Sequence, residues 1–91
     1  MTMMPPVSDE ALDTDIRQIL RDHARLTVDA SALDQDSNLF QAGMSSHASV
    51  NVMIALEDKF EIEFPDSLLK RSSFETIDAI AALVAQLRAA V

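Results

Sequence analysis

Apolar positions recur along this chain in blocks with helical spacing. Leu12, Ile16, Ile19, Leu20 and Leu26 fall on one side at about 100° per residue, which predicts an amphipathic helix. Ser8 is its candidate N-cap, and Asp9 and Glu10 in the first turn suit the positive end of the helix dipole. His23 shares the stripe and is expected at the edge of the core, since a lone histidine has no ligand partners nearby. A second helix is expected from Ser46 to Phe60, with Val52, Met53, Leu56 and Phe60 on its core stripe. Pro65 interrupts the pattern, and Asp66 to Lys70 can form one short turn of helix. Ser72 and Glu75 have the spacing of a capping box ahead of a last helix carrying Ile77, Ile80, Val84 and Leu87. No segment reads as a strand, and no internal repeat is present. The expected fold is all-α, a four-helix bundle of three longer helices plus one short helix. Residues 1–8, with Pro5 and Pro6, read as a flexible N-terminal tail ahead of one domain over 9–91.

The helices are separated unevenly. Thr27 to Ser45 is a long polar connection anchored by Leu33, Leu39 and Phe40, and connections of this length are often functional. Its Asp34-Gln35-Asp36-Ser37-Asn38 run resembles the opening of a calcium loop. The sixth position is Leu39 instead of Gly and the twelfth is Ser45 instead of Glu, so turn and cap chemistry explains the run better.

The second helix has more apolar surface than one core stripe needs. Val50 and Ile54 point well away from Val52 and Leu56, toward a side shared with His47, Glu57, Asp58 and Glu61. Scattered exposed Val and Ile are ordinary. The alternative is a docking face for a partner with an apolar notch ringed by Lys or Arg.

Composition narrows the chemistry. The chain has 91 residues with 7 Lys plus Arg against 15 Asp plus Glu, a net charge of −8. Such a surface repels phosphate backbones and steers toward basic partners. With 4 Phe and no Trp or Tyr, nucleic-acid binding by base stacking is excluded as a reading. There is no cysteine, hence no disulfide, thiolate nucleophile or thiolate metal site; no metal site is expected. Met1 to Pro6 lacks the features of a signal peptide, and the apolar stretch from Ile77 to Val91 is interrupted by Asp78, Gln86 and Arg88. The expectation is a soluble cytoplasmic protein with no membrane and no nucleic-acid partner.

The chain's only glycine, Gly43, precedes three serines, Ser45, Ser46 and Ser49, at the start of the second helix. Ser45 suits an N-cap, worth about 1 kcal/mol. A hydroxyl in the first turn is also exposed beside orphan N–H groups, where an attached phosphate would meet the positive helix end. A catalytic reading of Ser46 with His47 or His23 fails, because adjacent helical residues point about 100° apart and no orienting acid is evident. No catalytic residue is assigned.

Gly43-Met44-Ser45-Ser46, followed by Val50, Ala55, Leu56, Glu57, Phe60 and Ile62, resembles the acyl and peptidyl carrier proteins. The likeness extends back through Asp36, Leu39 and Phe40 and forward through Pro65 and Asp78-Ala79-Ile80. It implies a four-helix bundle in which Ser46 carries covalent 4′-phosphopantetheine, added from coenzyme A by a phosphopantetheinyl transferase. The protein would then be a non-catalytic carrier whose working thiol is imported with the arm. Where the family usually has Asp before the modified serine this chain has Ser45, and where it usually has Leu after it stands His47. Because Ser45 lies beside it, either serine remains open as the attachment point; the spacing to Gly43 and Val50 favours Ser46. Asn51 stands where fatty-acid carriers commonly have an acid. Gly-Met-Ser-Ser-His is most similar to stand-alone aminoacyl carrier proteins, which implies loading with a small amino acid such as glycine or alanine. The implied partners are a class II synthetase-like amino acid:[carrier protein] ligase and a downstream acceptor enzyme. Ser45, His47, Val50, Ile54, Glu57, Asp58 and Glu61 form the candidate docking set. Alternatives are an acyl or polyketide carrier and an unmodified interaction module.

Overall fold

A computed structural model describes residues 9–89. The tail over 1–8, including the Ser8 cap, lies outside the described residues. The chain forms α1 (Asp9–His23), α2 (Ser46–Phe60) and α3 (Ile77–Ala89), with 3-10 turns at Ala30–Ala32, Asp66–Leu68 and Arg71–Phe74. No strand occurs among the described residues. α1 packs against both α2 and α3.

The apolar period of the sequence becomes the core. Ile16 and Leu20 of α1, Val52 and Leu56 of α2, and Ile77, Ile80 and Val84 of α3 are fully buried. Each such side chain contributes roughly 1.5–3 kcal/mol through removal from water. Met53 and Phe60, expected on the core stripe, are only half-buried and pack against the edge of the core, where Ala48, Val52 and Leu56 are the buried residues of α2.

The long connection behaves as a fourth structural element. Leu39 is fully buried, and Ala30 and Met44 join it in the core. The Leu39 N–H donates to the Glu75 carbonyl at 2.7 Å, and the Asp78 N–H donates to the Gln35 carbonyl at 3.0 Å, so the connection is laced to the start of α3. From α1, the Arg17 guanidinium donates to the carbonyls of Ala30 at 2.6 Å and Leu33 at 2.8 Å while pairing with Asp13 at 2.8 Å. These bonds satisfy backbone groups that a packed loop would otherwise leave unmade. The Asp34–Asn38 run forms turns: Ser37 Oγ accepts from the Asp34 N–H at 3.1 Å, and Asn38 Oδ1 accepts from the Gln41 N–H at 3.0 Å.

Two local expectations are corrected and a third is shortened. The short turn expected over Asp66 to Lys70 forms as a 3-10 turn confined to Asp66–Leu68. It closes with Leu68 N–H to Pro65 carbonyl at 2.9 Å, and extended Lys70 (φ −133°, ψ 161°) separates it from the next turn. Ser72 does not cap α3, because it lies within the Arg71–Phe74 turn; Thr76 does, its Oγ1 accepting from the Ala79 N–H at 3.0 Å. His23 is exposed, not at the core edge: α1 ends there and the following Ala24 takes the buried position.

Candidate functional site

The approach to α2 is fixed by Gly43. Its φ is +118°, and a Cβ there would lie 2.9 Å from the Thr27 backbone nitrogen. Thr27 N–H donates to the Ala42 carbonyl at 2.9 Å, which joins the end of the connection to the segment after α1. Glycine permits both the positive φ and the close backbone approach. Beyond it, Met44 is buried and Ser45 is extended (φ −84°, ψ 167°) at the N-cap of α2.

Here the serines separate by bonding. Ser45 Oγ accepts from the Ala48 N–H at 3.0 Å and caps the helix. Ser49 Oγ donates to the Ser46 carbonyl at 2.6 Å, one turn back. Ser46 is exposed, and its hydroxyl has no hydrogen-bond partner among the described residues. The first helical bond outside the cap runs from Ser49 N–H to the Ser45 carbonyl at 2.9 Å, leaving the Ser46 and His47 N–H groups without an acceptor among the described residues. The first turn contains no acidic residue. A phosphoester on Ser46 would therefore meet orphan donors and no adjacent carboxylate. Ser45 makes the capping bond that short polar side chains make at a helix N-cap.

Ser46 also borders a cleft of about 360 Å³ between α2 and the loop ahead of α3. Val50 and Met53 line it from the helix, Leu69, Lys70 and Arg71 from the loop, and Phe40 and Phe74 from below. The Arg71 guanidinium carbon sits 3.9 Å from the centre of the Phe40 ring, a cation–π contact. The fit to a phosphopantetheine arm is good: a free hydroxyl stands at the mouth of an apolar cleft with two cations on its rim.

The candidate docking residues divide. His47, Val50, Ile54 and Asp58 are exposed and follow one another at helical spacing along one side of α2, and Glu61, also exposed, stands just past its end. Val50 is 48% and Ile54 54% exposed, values that place neither in the core. Val50 also reaches the cleft, whereas Ile54 does not line it. Glu57 serves the fold, because its Oε2 accepts from the Phe64 N–H at 2.9 Å and holds the chain after α2 against the helix. Glu61 ends α2 in the left-handed region (φ 55°), with its N–H donating to the Glu57 carbonyl. Ser45 is committed to the cap. The cleft residues Leu69, Lys70 and Arg71 were not anticipated from the sequence, although Lys70-Arg71 is the one adjacent basic pair in an acidic chain.

No described helix is long and apolar enough to cross a membrane. A family model described as a phosphopantetheine attachment site matches residues 14–84. The chain is similar to an aminoacyl carrier protein of Agrobacterium fabrum, 42% identical over 69 residues, covering 76% of this chain and 83% of that protein. It is also similar to a D-alanyl carrier protein of Lactobacillus helveticus, 40% identical over 53 residues that cover 57% of this chain and 67% of that protein. Among solved structures, one similar chain comes from an engineered Bradyrhizobium japonicum glycine:[carrier protein] ligase complexed with a carrier protein from Agrobacterium tumefaciens and AMP. The match has a TM-score of 0.78 at 41% identity and covers 80% of this chain and 97% of that one. The solution structure of a protein from Agrobacterium tumefaciens matches with a TM-score of 0.65 at 40% identity, covering 81% of this chain and 89% of that one.

Proposed function

The chain belongs to the phosphopantetheine attachment site family, and from that premise we propose that it is an aminoacyl carrier bearing its arm on Ser46. The observation that carries the assignment is the free, exposed Ser46 hydroxyl, flanked by Ser45 and Ser49 hydroxyls that are already engaged. In the transfer, Ser46 Oγ loses its proton and forms a bond to the phosphorus of the pantetheine phosphate, and the bond from that phosphorus to the nucleotide part of coenzyme A breaks. When bound, the arm supplies a terminal thiol that holds the cargo as a thioester. The chain contributes position: a rigid helix start sets the root of the arm, and tethering raises the effective concentration of the cargo at each partner.

The cargo reading is a small amino acid. It is supported by the likeness to aminoacyl and D-alanyl carrier proteins and to the carrier complexed with a glycine:[carrier protein] ligase. A phosphopantetheinyl transferase and a class II synthetase-like ligase are the proposed partners, with a downstream acceptor enzyme receiving the amino acid in the cytoplasm. The carrier itself performs no catalysis in this scheme. The stripe His47, Val50, Ile54, Asp58 and Glu61 is the proposed docking side, its acids framing two exposed apolar residues. The single folded carrier unit is proposed to run from residue 9 to 91.

The test is intact mass before and after incubation with coenzyme A, magnesium and a phosphopantetheinyl transferase, followed by peptide mapping and by ligase loading with glycine and ATP. One arm on Ser46 is expected, abolished in Ser46→Ala and retained in Ser45→Ala. An arm that survives Ser46→Ala but is lost in Ser45→Ala would overturn the assignment. No arm with any transferase would leave an unmodified interaction module, and loading by an acyl but not an aminoacyl donor would move the cargo to the acyl or polyketide class.

A further inference from the structure

We propose that Lys70 and Arg71 hold the phosphodiester of the arm on Ser46 and so lay the arm along the cleft between α2 and the preceding loop of α3. The proposal rests on Ser46 as the attachment point and adds the residues that position the arm's charged root.

Three observations converge on this pair. Ser46, Lys70 and Arg71 line the same cleft, although they come from separate elements. In a chain of net charge −8, this adjacent basic pair shares its cleft with Ser46, whose hydroxyl, unlike those of Ser45 and Ser49, has no partner among the described residues. Neither Lys70 nor Arg71 forms an ion pair among the described residues, whereas Arg17 is fully engaged with Asp13 and two carbonyls. No carboxylate among the described residues therefore neutralises Lys70 or Arg71.

Arg71 is also poised. Its guanidinium carbon lies 3.9 Å from the centre of the Phe40 ring, which anchors the group at the cleft. No hydrogen bond engages its N–H groups among the described residues, and a planar guanidinium can offer them to phosphate oxygens as a fork. A phosphodiester keeps one negative charge near neutral pH and offers two unesterified oxygens, matching one fork and one ammonium. Beyond the phosphate, Val50, Met53 and Leu69 offer an apolar surface to the branched methyl groups of the arm. The orphan N–H groups of Ser46 and His47 add to the same electrostatic preference from the helix side.

The experiment compares apo and arm-bearing protein, wild type against Lys70→Gln/Arg71→Gln, with attachment on Ser46 established first by intact mass and peptide mapping. The ³¹P resonance of the diester and the methyl resonances of Val50 and Leu69 are then followed at low and high salt. In the wild type, attachment should shift both sets of methyls, and the ³¹P position should move toward that of the same diester on a short unfolded serine peptide as salt is raised to about 0.5 M. In the double variant, the ratio of docked to free arm should fall about two- to fivefold, as befits exposed charge pairs. Matching amide spectra of the two apo proteins separate lost docking from lost fold. Identical ³¹P shifts and salt responses in the wild type and the double variant would overturn the proposal while leaving Ser46 attachment intact. Failure of the arm to attach at Ser46 would instead remove the reading beneath it.

Discussion

Gly43→Ala should damage both the fold and the presentation of Ser46. The backbone at Gly43 has φ +118°, well beyond the left-handed helical region that Asn or Asp visits near +57°. Holding an L-residue in so sparsely populated a region costs about 1–3 kcal/mol. The new Cβ would also stand 2.9 Å from the Thr27 nitrogen and 3.0 Å from the Thr27 methyl. Relief requires the chain at Thr27 to withdraw, which strains the hydrogen bond from its N–H to the Ala42 carbonyl at 2.9 Å. That bond contributes roughly 1 kcal/mol net. Together the expected loss is about 2–4 kcal/mol, a large share of the roughly 5–15 kcal/mol that holds a small domain. Urea and thermal unfolding followed by circular dichroism measure it; the melting temperature should fall on the order of 10–20 °C. Adding Thr27→Ser removes the methyl contact but neither the φ nor the nitrogen contact, so it should restore little. The same variant should slow arm attachment, because Met44 and the Ser45 cap follow directly from this turn. A Gly43→Ala protein within about 0.5 kcal/mol of wild type would refute the reasoning, since surface substitutions without special features fall in that range.

Ser45→Ala should cost about 1 kcal/mol through loss of the cap to the Ala48 N–H while arm attachment continues; loss of attachment with unchanged stability would reverse the roles of Ser45 and Ser46. Ile54→Glu should leave unfolding within about 0.5 kcal/mol of wild type yet weaken ligase loading, and a marked drop in stability with unchanged loading kinetics would return Ile54 to the core. Arg17→Met should cost roughly 1.5–3 kcal/mol by leaving the Ala30 and Leu33 carbonyls without their charged donor, read by urea unfolding; a change below about 0.5 kcal/mol would show the connection is held without it. Asp29 caps the Ala30–Ala32 turn, and the Ser31 backbone N–H, then the Ser31 hydroxyl, hold its carboxyl below the ordinary 3.8. A depressed folded pKa means the cap's contribution is present above 3.8 and is lost as pH falls through the lower folded value. An NMR titration of Asp29 with a midpoint at or above 3.8 would contradict the capped geometry.

The long helices were legible because their signal is periodic and local. The span expected for the second helix, Ser46 to Phe60, is the span of α2, since apolar residues at helical spacing, a serine cap before it and Pro65 beyond it act within a few residues of one another. The exposed pair Val50 and Ile54 followed from the same arithmetic: a helix has only one face to give to the core. The segment from Pro65 to Thr76 was legible only as a short turn after Pro65. It is too short to show a period, and its two 3-10 turns close through local hydrogen bonds in place of an apolar stripe.

The candidate site was half written in the sequence. Gly43 and the serine cluster could be read directly, because glycine and helix-start hydroxyls have local meanings. Which hydroxyl is free could not, since it depends on where the Ser45 and Ser49 side chains bond in the folded turn. Glu57 looked like a surface acid until the chain folded back and brought the Phe64 N–H to it. Lys70 and Arg71 became rim residues of the Ser46 cleft only when the core drew the loop over α2, through Phe74, Ile77 and Leu39. The sequence alone determined where helices form and which face each one buries, because those follow from short-range spacing. Only the tertiary structure decided which side chains meet across elements, because burial of the shared core sets those distances and no local pattern encodes them.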